Sequence, residues 1–180
     1  MRTIFFIEDN KRRAIAHGVS AISKLAYMSY RSKKVLISDN PVVTDLRGLF
    51  LSFGIILNSL WKLLVLKNSA HDKIYLPFSI TKVGLWKILF FISVFKIKCR
   101  EGQVILHLHR SDFSKYLDSS RLLIWAIFRN RPKIIFLSAK HKLEFQHYCE
   151  QHGFGRGCKF FVLRNPHIIN PSFDKIVFKA

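Results

Sequence analysis

Along the chain, short runs of branched and aromatic residues alternate with longer stretches in which apolar residues return every three or four positions. Ile4 to Ile7 is a continuous apolar run of strand length. Asp9 and Asn10 suit a helix cap, and Ile15, Val19, Ile22 and Ala26 then recur at helical spacing. Lys34 to Ser38 reads as a second strand, ended by Asp39-Asn40-Pro41. Leu46, Leu49, Phe50, Phe53, Leu57, Leu60, Trp61 and Leu64 share one helical stripe, which the pattern assigns to the core. Leu51, Ile55 and Val65 fall outside it. Further strands are predicted over Lys73–Leu76, closed by Pro77, and over Val104–Leu108, Lys133–Leu137 and Lys159–Leu163. Helices are predicted over Lys82–Ile97, from Ser119 or Ser120 through Phe128, and over Ala139–His152, where Gly153 ends the last one.

Strict alternation of strand and helix implies right-handed crossovers and a parallel sheet covered on both faces. The expected fold is therefore α/β, a Rossmann-like three-layer sandwich with a mostly parallel six-stranded sheet. Ligands of such sheets sit at the carboxyl ends of the strands. That directs attention to Glu8–Arg13, Ser38–Thr44, Pro77–Ser79, His107–Asp112, Ser138–Lys140 and Arg164–Pro166.

Length and charge narrow the field. The 180 residues fit one domain, and 49% hydrophobic with 23% charged residues is globular composition. Thirty Lys and Arg face eleven Asp and Glu, a net charge of +19. Such an imbalance favours anionic partners: a phosphorylated substrate, an acidic membrane surface, or nucleic acid. A nucleic-acid module calls for aromatic residues on an open sheet or a helical reader; neither is evident, and no nucleic acid is expected as a partner. Cys99, Cys149 and Cys158 are sparse and form no C-x-x-C, which suits a reducing compartment. The opening apolar run is too short for a signal peptide. Leu49–Leu66 and Val83–Ile97 are apolar on more than one side. Asn58, Ser59 and Lys62 interrupt the first, and Lys87 and Lys96 the second. Both are expected to be buried core with some contact at a membrane interface rather than spans.

The candidate chemistry concentrates late in the chain. His107 and His109 are two apart on one strand and so point to one face at its carboxyl end. Two readings of His107 stay open, a substrate contact and a satisfied core histidine. His109 lies furthest out and is the better site residue, able to bond sugar hydroxyls or take up a proton. Arg110 offers forked donors to a phosphate. No third ligand stands near the two histidines, so no metal is expected. His147, Cys149, His152 and Cys158 straddle Gly153–Gly157, which fits a helix end and a tight turn better than a metal site. Ser138 caps the helix after the fifth strand, whose free N–H groups then face the crevice. Arg164-Asn165-Pro166 ends the sixth strand, and Lys11-Arg12-Arg13 gives the first loop a basic patch.

Three of these segments together resemble the N-terminal domain of GT-B glycosyltransferases, particularly the family 4 type. They are Ile105-Leu106-His107-Leu108-His109, then Ile135-Phe136-Leu137-Ser138, then Phe161-Val162-Leu163-Arg164-Asn165-Pro166. By element order the resemblance covers the whole chain; its motifs are specific only from about Val104 to Pro171. It implies a nucleotide-sugar donor used as substrate, with no cofactor. It implies an acceptor held by this half, a glycan or a lipid-linked sugar of surface-polysaccharide synthesis, at the inner face of the cytoplasmic membrane. It casts His109 as the catalytic-side contact to the transferred sugar or the nearby phosphate. Asn10, Lys11, Arg12, His107, Arg110, Ser138 and Asn165 would bind substrate. Residues 1–166 would form the acceptor-side domain and 167–180 the start of an interdomain linker. Two features depart from the family. The first loop lacks the usual glycines, and the donor domain's glutamate pair is missing, since Glu144 and Glu150 have neither the spacing nor the context. The expectation is a chain inactive alone and completed by a donor-binding domain or subunit. The alternative is a non-enzymatic, basic, peripheral membrane-binding protein.

Overall fold

A computed structural model describes residues 2–7, 33–38, 46–67, 69–108 and 117–163. Within them lie strands β1 (Thr3–Ile7), β2 (Lys34–Ser38), β3 (Lys73–Phe78), β4 (Gln103–Leu108), β5 (Lys133–Phe136) and β6 (Lys159–Val162). Helices α1 (Leu46–Val65), α2 (Lys82–Lys98), α3 (Arg121–Phe128) and α4 (Ala139–Gln151) lie between the later strands. The expected first helix, around Ile15 to Ala26, falls outside the described residues. The six strands form one sheet in the order β2-β1-β3-β4-β5-β6, and every pairing is parallel. This is the Rossmann-like α/β architecture that the alternation predicts, with a sheet wholly rather than mostly parallel.

The order places a topological switch at β1, which has β2 on one side and β3 on the other. There the sheet opens. The β1–β3 ladder stops at Phe5 and Tyr75, while β1–β2 runs on to Ile7 and Ser38, and β3–β4 to Phe78 and Leu108. Pro77 lies in this stretch. The sequence pattern closes β3 before it; the strand instead continues through it to Phe78. Proline has no N–H to give a ladder, so an interior strand tolerates it where a neighbour has already parted.

Strand residues alternate between two faces. Ile4, Phe6, Ile74, Leu76, Leu106 and Phe136 join a single core cluster with Leu63 of α1, Phe91 of α2, Ile127 of α3 and Phe145 of α4. Phe145 is its aromatic hub, with ring centroids 5.5 Å from Phe136, 5.7 Å from Phe128, 6.2 Å from Phe78 and 6.4 Å from Phe160. Burial of one such side chain contributes roughly 2–3 kcal/mol. The other face carries a smaller cluster, Phe5 and Tyr75 with Ile105 and Ile135.

The structure corrects the expectation for α1. Phe53, Leu57, Trp61 and Leu64, assigned by periodicity to the core, are exposed. The packed side is Ser59, Leu60, Leu63 and, just past the helix end, Leu66, so of the stripe's described side chains Leu60 alone turns to the core. A helix apolar on several sides has more than one stripe at helical spacing. A small polar residue, Ser59, sits on the side that packs, which hides that side from a search for apolar residues. Among the described residues, no helix is long and apolar enough to cross a membrane.

Candidate functional site

Parallel strands send all their carboxyl ends to one edge, and each crossover helix begins at that edge. β4, β5 and β6 are consecutive neighbours. In register, His107 pairs with Ile135 and Ile135 with Phe161; Leu108 pairs with Phe136 and Phe136 with Val162. The Leu163 N–H extends the last ladder by donating to the Phe136 carbonyl, at 2.8 Å. The described parts of the three segments singled out in the sequence therefore lie side by side.

His107 is the last inward-turned residue of β4 on the smaller-cluster face. It is 0% exposed. Its Nδ1 is hydrogen-bonded to the Tyr75 hydroxyl, and the two rings meet edge to face with centroids 5.9 Å apart. Tyr75 in turn packs on Phe5 at 5.0 Å. In this structure the imidazole presents no surface to a substrate; it ties the end of β4 to β3. Ser138 is half-buried, and its hydroxyl accepts the His141 N–H at 3.2 Å, so it is the N-cap of α4. His109, Arg110, Asn10, Lys11, Arg12 and Asn165 lie outside the described residues.

The electrostatics of this edge are unusual, and they extend beyond the one helix start that the sequence pointed to. A helix N-terminus is the positive end of the macrodipole and normally favours Asp or Glu in its first turn. None of the four α-helices has an acidic residue there, although the 3-10 turn Asp118–Ser120 that leads into α3 begins with Asp118. Their first turns carry Arg47, Lys82, Arg121 and Lys140 instead. Thr81 caps α2, with its hydroxyl accepting the Gly84 N–H at 3.2 Å and lying 3.2 Å from the Ser79 hydroxyl. Gly84 is required here, since an added Cβ would fall 2.4 Å from the Ser79 hydroxyl oxygen. The capped starts of α2 and α4, each with a lysine in its first turn, thus bring positive dipole ends and basic residues to one edge, the combination that attracts phosphate groups.

No family model matches this chain, and neither a curated protein nor a solved structure matches it.

Elsewhere the titratable groups serve the fold. Among the described residues no cluster of three His, Cys, Asp or Glu is placed to hold a metal ion. Burial pushes the Cys149 thiol up to about 12 and Cys158 to about 11, and it also raises Cys99. These thiols are therefore poor nucleophiles at neutral pH. Gly153, Gly155 and Gly157 all have positive φ (69°, 91° and 85°), which explains the glycine run as the turn between α4 and β6.

The opposite, amino-terminal edge holds a structural carboxylate that sequence reading missed. Asp72 is buried and accepts five hydrogen bonds: from the Arg2 N–H at 2.7 Å, two from the Arg2 guanidinium at 3.2 Å, and from the Ser69 N–H and hydroxyl at 3.0 and 2.7 Å. Burial raises its pKa, but the bonds from Ser69 and Arg2 outweigh that and hold it at about 2. Its carbonyl also accepts the Gln103 N–H, so one residue fastens the starts of β1, β3 and β4.

Proposed function

We propose that this chain is the acceptor-binding, N-terminal domain of a GT-B glycosyltransferase of family 4 type. It would take part in transfer of a sugar from a nucleotide-sugar to a glycan or lipid-linked acceptor in surface-polysaccharide synthesis, at the inner face of the cytoplasmic membrane. The observation that carries this proposal is the adjacency of β4, β5 and β6, which brings the described strands of the three family-like segments together in one sheet. The basic first turns support it, because nucleotide-sugar and lipid-linked acceptors both bring pyrophosphate.

The chain's own residues would bind and orient. The first amides of α2 and α4, with Lys82 and Lys140 beside them, would draw the acceptor's phosphates to the edge. His109, next but one after buried His107, would contact the transferred sugar. Charge builds on the leaving pyrophosphate during transfer and needs its own fixed donors. Donor binding then belongs to a further domain or subunit, since the family's glutamate pair is not found in these residues.

The test offers labelled UDP-, GDP- and dTDP-sugars with a polyprenyl-diphosphate-linked glycan. It uses the chain alone and with the product of the reading frame that follows it. Transfer is expected only with both present, falling on the order of a hundredfold for His109→Ala. Transfer that is unchanged when this chain is left out, or when His109 is replaced, would refute the proposal.

A further inference from the structure

Three helices on one side of the sheet show the wrong face for a water-soluble layer. α1 and α2 pack on each other, and so do α2 and α3. Each turns an apolar stripe away from the sheet: Phe53, Leu57, Trp61 and Leu64 on α1; Val83, Trp86, Phe90 and Ile97 on α2; Leu122 and Trp125 on α3. Every tryptophan in the protein is on this face, with Trp61 65%, Trp86 51% and Trp125 47% exposed. The stripes of α1 and α2 flank an open apolar furrow of about 510 Å³, lined by Leu57, Trp61, Leu64 and Val94 among others. An apolar area this continuous marks an interaction surface.

Charge identifies what it meets. α1, α2 and α3 contain no Asp or Glu at all, while Lys62, Lys82, Lys87, Lys96, Lys98 and Arg121 are spread along them. The Arg129 guanidinium lies 5.1 Å from the centre of the Trp125 ring, a cation stacked on an exposed indole. A second copy of this face would bring basic groups against each other. Exposed indoles, aliphatic stripes and basic residues on helices that contain no acidic residue match the interface of an anionic bilayer, where the rings enter the headgroup level and cations meet lipid phosphates.

We infer that the outer face of α1, α2 and α3 docks flat on an anionic membrane, lying on it rather than crossing it. This takes up the membrane location of the function proposed above and names the surface; it does not depend on sugar transfer. The geometry also fits that function. Crossover helices begin at the carboxyl edge, so Val83 and Leu122, at the starts of α2 and α3, bring the lipid surface alongside the edge assigned to the acceptor.

The experiment uses vesicles of phosphatidylcholine with 30 mol%, roughly a third, phosphatidylglycerol, against phosphatidylcholine alone, with no glycan lipid or nucleotide-sugar present. Failure to bind would then sink the docking surface and leave sugar transfer to be judged by its own assay. Flotation is expected with the anionic vesicles only, weakening as salt rises. Three single-tryptophan versions, with Phe in the other two places, should each show a blue-shifted emission quenched by lipids brominated near the headgroup end of the chain. The triple Trp61→Ser, Trp86→Ser, Trp125→Ser variant should bind about a thousandfold more weakly, given roughly tenfold for each indole. Circular dichroism should show its fold intact. Binding without any change in the three emissions would overturn the inference. So would a lipid-free dimer that the triple variant abolishes.

Discussion

Asp72 shows how much one side chain can fix. Its ordinary carboxyl value of 3.8 is lowered to about 2 in the fold. A depressed carboxylate stabilises the protein above its unfolded value and loses that contribution as pH falls through the folded one. The contribution is about 2 kcal/mol, present above about pH 4 and lost between there and pH 2. Asp72→Asn should therefore cost about 2–3 kcal/mol at neutral pH and flatten the acid limb of the stability curve, as read by urea unfolding from pH 2 to 6. An unchanged acid limb would show that the carboxylate is not doing this. The Ser69 bonds are local, three residues away, but the deciding partner was not legible in the sequence, because Arg2 meets Asp72 only through the pairing of β1 with β3. His107 teaches the same lesson from the other side. Its place on β4 and the face it uses followed from strand alternation. Its burial did not, because that depends on Tyr75, thirty-two residues away.

Elements were easier to read than side chains. Lys34–Ser38 has the expected bounds, and α2 and β4 extend past theirs by one residue each, because long apolar runs between turn residues leave few alternatives. α1 was found as a helix, but of its predicted stripe's described side chains all except Leu60 turn outward. Periodicity identifies a helix but does not choose between two apolar stripes, and the choice is made by what the sheet offers it. The first turns of the helices hold a clearer signal, visible in the sequence once the helix starts are known. A lysine at the positive end of a macrodipole destabilises the fold by roughly 0.3–1 kcal/mol. Lys82→Glu should therefore raise the thermal midpoint slightly while weakening pyrophosphate binding several-fold, by calorimetry on the same samples. Stability and binding falling together would mean that Lys82 is only a structural residue.

At the scale of the molecule, the two edges and two faces of the sheet divide the work. The amino-terminal edge, with Asp72, holds the strands together. The carboxyl edge gathers helix starts, basic residues and the ends of β4, β5 and β6. The outer helix face carries the tryptophans. The parallel sheet itself was legible from the alternation of elements. The switch at β1, where β1 and β3 part beside Pro77, was not, since strand order is a property of long-range pairing alone. The most direct test of the proposed acceptor role is a backbone amide titration by NMR with a water-soluble, short-chain prenyl-diphosphate-linked disaccharide. Shifts should gather at Leu108, Thr81 to Gly84, Ser138 to His141 and Leu163, with the amides around Asp72 still. A titration that leaves those positions unmoved, or that moves the amino-terminal edge instead, would contradict it.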